Sequence, residues 1–470
     1  DQLAVPAMIL DANSKISLSN NDENTGNTVF GKSAFNANTT DNDYNTVFGE
    51  LAMGTGTPSS AANNTAIGYK SLEDITSAHE NTSVGHKNMS SITSGQYNTA
   101  IGSSALTTAT TAGENVSIGY RSMWLAEGGE SQNVAIGVNA MKNVQEGSNN
   151  GDADYNIAIG YNALTGGDFA GNDYQLRGNI AIGGNAMITT GANAQTGTIA
   201  IGEYALTALT SGSYNIGIGY YALATGTGAS NNTAVGYEAG RYLGDDGTSN
   251  HSSFNTIFGR GAMGGGHTST PAGNTAHLNI AIGHGALGGG TGSSTNLTAS
   301  NNTVVGYASM NTATTGTHNT IMGYGAGQLL TSGTYSVMIG AACGDAIVDS
   351  GSHVLIGTGA GGNGDIANDG QVAVGHVALH SLTDGQRNTA LGYSSLNLLT
   401  TGDNNIAIGY QAMDAADGTE SDNIAIGYGA MGAFDENGNA GDDNIAIGRD
   451  ALKGGAMSDN TRYNIAIGNY

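Results

Sequence analysis

The sequence predicts an all-β fold, a parallel β-roll or β-solenoid of about 24 short coils. Three observations predict it. A pentapeptide of the type NIAIG or NTAIG recurs from Gly31 to Gly468 in 24 copies, most of them 17 or 18 residues apart. The 470 residues include 77 glycines but only 3 prolines, without the three-residue period of collagen. Charged residues make up 11%, against a usual share of about 25%, yet Ile, Val, Leu and Met recur regularly, which argues against a disordered chain.

Within the pentapeptide the residue before the glycine is large and apolar in all 24 copies, and the residue two earlier is always Thr, Val or Ile. Between them stands a small residue, Ala in 14 copies, such as Ala66, Ala158 and Ala446. This alternation reads as a short strand. The large face is expected to point into a core, and the small face, carrying the first residue, Ala and Gly, to let another backbone approach closely. The first position is Asn in 20 copies, the exceptions being Thr198, Ser336, His353 and Gln371. Stacked coils place this position above itself at about 4.8 Å, so Asn64, Asn98, Asn133, Asn156, Asn405 and Asn444 are expected to form a structural amide ladder.

After the glycine comes a variable residue, often Tyr (Tyr69, Tyr120, Tyr161, Tyr410), then another, then Ala or Ser, then Leu or Met. Ala105–Leu106 and Ala140–Met141 illustrate a pair expected to form a second inward strand, with segments such as LTSG closing the coil. The single cysteine, Cys343, falls in the Ala/Ser column and Met53, Met89, Met123 and Met263 in the Leu column, so all are expected to fill the core. Two short strands and two turns leave no room for a helix.

The organisation is therefore an entry or capping segment at 1–23 and a repetitive solenoid at 24–470. Loop insertions fall at 142–155, 165–178, 240–254, 264–278 and 288–300. Insertions at one phase of successive coils form a lateral patch. Their aromatic, amide and acidic side chains suit stacking on sugars and hydrogen-bonding their hydroxyls, and Tyr155, Phe169, Tyr174, Arg177, Arg241, Tyr242, His251, Phe254 and His267 are the candidate receptor-binding residues.

The net charge is −25 and the 13 basic residues are scattered singly, so nucleic acid and anionic membrane surfaces are poor partners. No apolar stretch is long enough to insert in a bilayer. Neither a G-x-S-x-G nor an H-E-x-x-H motif is present, and the acid pairs Asp245–Asp246 and Asp442–Asp443 lie in Gly- and Asn-rich turns, so no enzymatic activity, catalytic residue or cofactor is expected. The turn at 435–443 offers alternating oxygen ligands but neither the EF-hand glycine nor its closing glutamate, which suits calcium held loosely and no defined metal site. His251, His267, His277 and His284 cluster around the insertions.

The N-x-A-I-G-x-x-A-L unit resembles the head repeats of trimeric autotransporter adhesins (YadA-like). It is also similar to repeat arrays of bacteriophage tail fibres, and the opening MILDANSKISLSNND, Met8 to Asp22, resembles the entry of phage fibres. The resemblance covers residues 24 to 470, with coils of 17 residues or more that are longer than typical adhesin heads. It implies a left-handed, trimeric roll in an extracellular, non-enzymatic fibre: a virion tail-fibre shaft or receptor-binding protein. A bacterial surface adhesin or filament is the alternative. The implied partners are two further copies of the chain, a host-surface glycan or protein receptor, and a tail or surface anchoring protein. A self-contained left-handed β-helix stands as the alternative fold, and an ice-binding solenoid is disfavoured here because the Thr column is expected to point inward.

Overall fold

Thr, Val and Ile flanking a small residue favour extended backbone. In the computed structural model each of the 24 pentapeptides forms a strand, nearly all of three residues. The structure describes residues 14–17, 26–36, 41–126, 128–144, 153–167, 175–190, 194–244, 251–264, 274–288, 296–416, 418–433, 441–454 and 461–469. No helix occurs among them, and therefore none able to cross a membrane. The chain divides into two compact units, Asp1–Gly228 and Ala229–Tyr470.

In the first unit the strands from Thr28–Lys32 to Ile216–Ile218 pair in parallel, each on the next coil. The register sets column on column: Thr65 on Thr82, Ala66 on Ser83, Ile67 on Val84. The second unit repeats this from Thr233–Val235 to Ile465–Ile467. A strand at Ser14–Ser17 covers the first unit's leading edge antiparallel to Thr28–Lys32, so the edge is not left open. The fold is an all-β parallel solenoid, as the repeat predicts.

The faces are reversed from the sequence expectation. Ala66, Ala100, Ala158, Ala407 and Ala446 are fully buried, while Ile67, Ile101, Phe258 and Leu391 on either side of such residues stay 37 to 45% exposed. The small face is the core face, and the large face looks outward. The reason is space, because Leu72, Met89, Leu106 and Met123 already fill the interior from the opposite wall. Three successive coils show the exchange directly: Ile321, Met338 and Leu355 occupy the Ala column where Gly327, Gly344 and Gly361 replace Leu. A Cβ on Gly344 would sit 2.9 Å from the Met338 sulfur, and one on Gly361 would sit 3.0 Å from Leu355 Cδ1. In these three coils one large side chain fills this level, whereas Val47 with Met53, Ile257 with Met263 and Val304 with Met310 are buried together in theirs.

The expected second strand does not form among the described residues. The Ala–Leu segment is a turn in which the Leu or Met takes a left-handed conformation, as at Leu106 (φ 47°) and Met123 (φ 45°). The coil at Asn115 also has Arg121 and Gln132 at φ 54° and 59°. Such residues cost about 1–2 kcal/mol each in isolation. Their backbone N–H groups bond along the stack, Arg121 to Ser103 O at 3.1 Å, Met123 to Ala140 O at 2.9 Å and Gln132 to Gly113 O at 3.2 Å. The stacked coil over-determines the strained turn. The pentapeptide glycine is compulsory for a related reason: at Gly102 (φ 141°) a Cβ would lie 2.6 Å from Gly119 O.

The first-position amides lie inside the roll and are fully used. Asn81 Oδ1 accepts from both the backbone N (2.9 Å) and Nδ2 (3.0 Å) of Asn98. Asn81 Nδ2 donates to Asn64 Oδ1 (3.1 Å) and across its own coil to Gly95 O (2.9 Å). Asn64, Asn98, Asn133, Asn156, Asn405 and Asn444 each repeat the link to the preceding Asn, at 3.0–3.2 Å from Nδ2. At three of the four replacements an acceptor remains, since Ser336 Oγ takes the His353 N–H, His353 Nδ1 the Gln371 N–H and Gln371 Oε1 the Asn388 N–H, whereas the buried Thr198 hydroxyl has no partner among the described residues.

His353 itself is held neutral by its neighbours. Ser350 donates its hydroxyl hydrogen to Ile366 O, so its oxygen accepts from His353 Nε2 (3.0 Å), while His353 Nδ1 accepts the Gln371 N–H (3.3 Å). Burial lowers its pKa to about 4, with Asp369 pulling the other way.

Two outcomes are expected. Ala407→Leu should destabilise the chain by about 1–3 kcal/mol in urea unfolding, because it overfills the core; wild-type stability would place Ala407 outside. Between pH 6.5, the ordinary histidine value, and about 4, the unfolded chain takes up a proton at residue 353 that the folded chain refuses. Stability should therefore fall by about 3 kcal/mol as pH drops through that window. His353→Asn, which restores the ladder, should remove this component, as unfolding curves at pH 7 and pH 4 would read.

Candidate functional site

Strand alternation that buries Asn and Ala, with Gly half-buried, turns four other columns outward. These are the residue before Asn, the second and fourth pentapeptide positions, and the residue after Gly. The two central columns are Thr, Val or Ile and a large apolar residue, half-buried or exposed in every coil. In the first unit they begin with Phe30 and Phe48, whose rings stack at 5.0 Å. In the second they end with Ile445 and Ile447, then Ile465 and Ile467. Each unit thus carries a continuous apolar band on its strand face.

Aromatic residues rim the band on both sides. On one side, before the Asn, stand Tyr44, Tyr97, Tyr155, Tyr214, Phe254 and Tyr335, all exposed and all in left-handed conformation. On the other, after the Gly, rings stack from coil to coil. Tyr69 lies on His86 at 5.5 Å in the first unit. In the second unit His284, Tyr307 and Tyr324 stack at 5.1 and 5.3 Å, and His376, Tyr393, Tyr410 and Tyr428 at 5.3, 5.0 and 5.2 Å. The recurring Tyr after the glycine is visible in the sequence, whereas the residues expected to form the site lie in the insertions.

Of the insertion residues, the structure brings Tyr155 and Arg177 together, the guanidinium carbon 4.7 Å from the ring centroid. Arg177 is placed there by a short parallel pairing of Leu176–Arg177 with Gln195–Thr196. Arg241 lies 5.0 Å from the Tyr242 ring centroid and forms an ion pair with Glu238. Phe254 is exposed, and His251 is half-buried beside His277, whose pKa is lowered by burial and then by His251. The Tyr155–Arg177 pair belongs to the first unit and the Arg241–Tyr242 pair to the second. Phe169, Tyr174 and His267, with much of each insertion, lie outside the described residues.

Several acidic groups are engaged in turns. Asp442 accepts the Ser421 N–H at 3.0 Å and pairs with Arg462 at 2.8 Å. Buried Glu130 and Glu420 accept backbone N–H groups of Gly128 and Gly418, each at 3.0 Å. Most of the turn considered for calcium, 435–440, lies outside the described residues, and no group of three or more His, Cys, Asp or Glu able to hold a metal occurs among the described ones. Cys343 is buried with its thiol directed to Leu355 O at 3.2 Å, and burial pushes its pKa up to about 12. No family model and no curated protein sequence matches the chain.

The cysteine yields a simple test of the core. Its reaction with a thiol-specific reagent at pH 8 should be at least about 100-fold slower in the folded chain than in urea, since both access and thiolate are suppressed. Equal rates would show Cys343 to be solvent-facing.

Proposed function

We propose that the protein is a non-enzymatic extracellular fibre component, a bacteriophage tail-fibre shaft or receptor-binding protein, that works as a homotrimer and attaches by repeated contacts to a host surface. The observation that carries this reading is the unbroken outward band of Thr, Val, Ile and Phe on the strand face of each unit. Contiguous apolar surface of this extent on a chain of net charge −25 calls for a partner. A second and third copy offer the same band at the same coil repeat, so in-register association covers it along its length. The repeat's resemblance to trimeric fibres points to the same assembly. Reversal of the strand faces moves the intersubunit contact from the Ala face to the Ile face.

Thr28, Thr46, Thr65, Thr82 and Thr99 also point outward, so the orientation held against an ice-binding array does not apply. Six coils from Val116 to Ile216 nevertheless carry no hydroxyl in that column, which favours an apolar partner over ordered water. Light scattering at several concentrations decides between them. The expected mass is three times the 47.1 kDa of one chain. Ile408→Glu, which would bury three carboxylates against apolar neighbours, should reduce it to the single-chain value. A wild-type mass of 47.1 kDa at every concentration overturns the trimer.

A further inference from the structure

We propose that the stacked rings after the pentapeptide glycine in the second unit bind a linear, uncharged β-1,4-linked polysaccharide, laid along the column with one sugar per coil. This deepens the attachment role proposed above by naming its ligand class and its site. The column contains two ladders. His284, Tyr307 and Tyr324 form the first, and His376, Tyr393, Tyr410 and Tyr428 the second, with Arg449 set 5.2 Å from the last ring centroid. Ala341 and Thr358 stand in the two coils between them.

The rings lie within 10° of parallel at 5.0–5.3 Å, so their faces are turned to one another and their edges to solvent. Tyr307, Tyr324, Tyr393, Tyr410 and Tyr428 are each 45 to 67% exposed. None of their hydroxyls takes a hydrogen bond from or gives one to the described residues. The surface therefore offers two rows of ring edges on successive coils, each led by an imidazole and carrying two phenol hydroxyls in the first row and three in the second, every hydroxyl both donor and acceptor. Each ring follows a glycine locked by its neighbour's carbonyl, which fixes the row before any ligand arrives.

A ligand that uses every rung must repeat hydroxyls at the same interval along a straight line. An extended β-1,4-linked glycan advances by nearly that distance per sugar, whereas α-1,4-linked chains coil away from a line. The net charge of −25 works against polyanions. Weak contacts repeated on a rigid row add along one ligand, so affinity must climb with ligand length.

The test is calorimetry on the full chain with β-1,4-linked glucose and N-acetylglucosamine oligomers of two to six units, and α-1,4-linked glucose oligomers beside them. Expected are two sites per chain, affinity rising at least about tenfold from dimer to tetramer, and α-linked oligomers at least about tenfold weaker. Tyr410→Ser should remove one site, and Tyr307→Ser with Tyr410→Ser both, with native mass unchanged. Absence of binding, affinity independent of length, equal affinity for α-linked oligomers or wild-type binding by the double variant overturns the site. A single-chain mass with intact, length-dependent binding overturns the trimer and leaves the site standing, so the two failures are distinct.

Discussion

The shared asparagine amide is the interaction on which the rest of the molecule depends. One Oδ1 accepts two hydrogen bonds from the next coil, and one Nδ2 ties the preceding coil to the far wall of its own. The bond set closes only when coils are stacked in register, because a slip of one residue would put Asn outside and leave the Gly95 and Ala112 carbonyls unpaired in the core. A buried polar ladder that is fully satisfied specifies register more strongly than apolar packing does. It also explains how a chain with so little apolar volume per coil holds a single arrangement.

That constraint propagates to the turns. Because Asn and Ala face inward from the strand, the opposite wall must supply the bulk, and it does so from Leu or Met in a left-handed turn. The cost of that conformation recurs in each coil that carries Leu or Met there and is offset by bonds to neighbouring coils, while Gly240, Gly327, Gly344 and Gly361 adopt it without that cost. Strain and stacking are therefore coupled, and a coil removed from the array has no reason to keep its shape. His353 shows the tolerance of the scheme: an imidazole replaces the amide by offering one nitrogen as acceptor and donating from the other.

Coil number, strand position, the Asn ladder and the burial of Cys343 were legible in the sequence because each follows from a column that repeats 24 times. The direction of the strand faces was not, because alternation names two faces without saying which is inside. Size misled, since large apolar residues are the usual core in a sheet that packs on another layer. Here the layer beneath is a turn only one Leu deep. The signal that could have settled it was present: Ile321, Met338 and Leu355 take the Ala column in coils where Gly327, Gly344 and Gly361 take the Leu column. Residues that exchange volume share a cavity.

The same inversion changes where recognition can reside. With the large residues inside, recognition would rest on the insertions and on residues such as Tyr155, Arg177, Arg241 and Phe254. With them outside, the strand face itself becomes a repeated surface. Its apolar centre is built by every coil and its aromatic rims by many of them, with no loop needed to carry them. A surface made this way gains strength by length, because each coil adds a further weak contact. Selection acting on such an array need not perfect any one residue; it need only keep the column in register, which the buried amides already do.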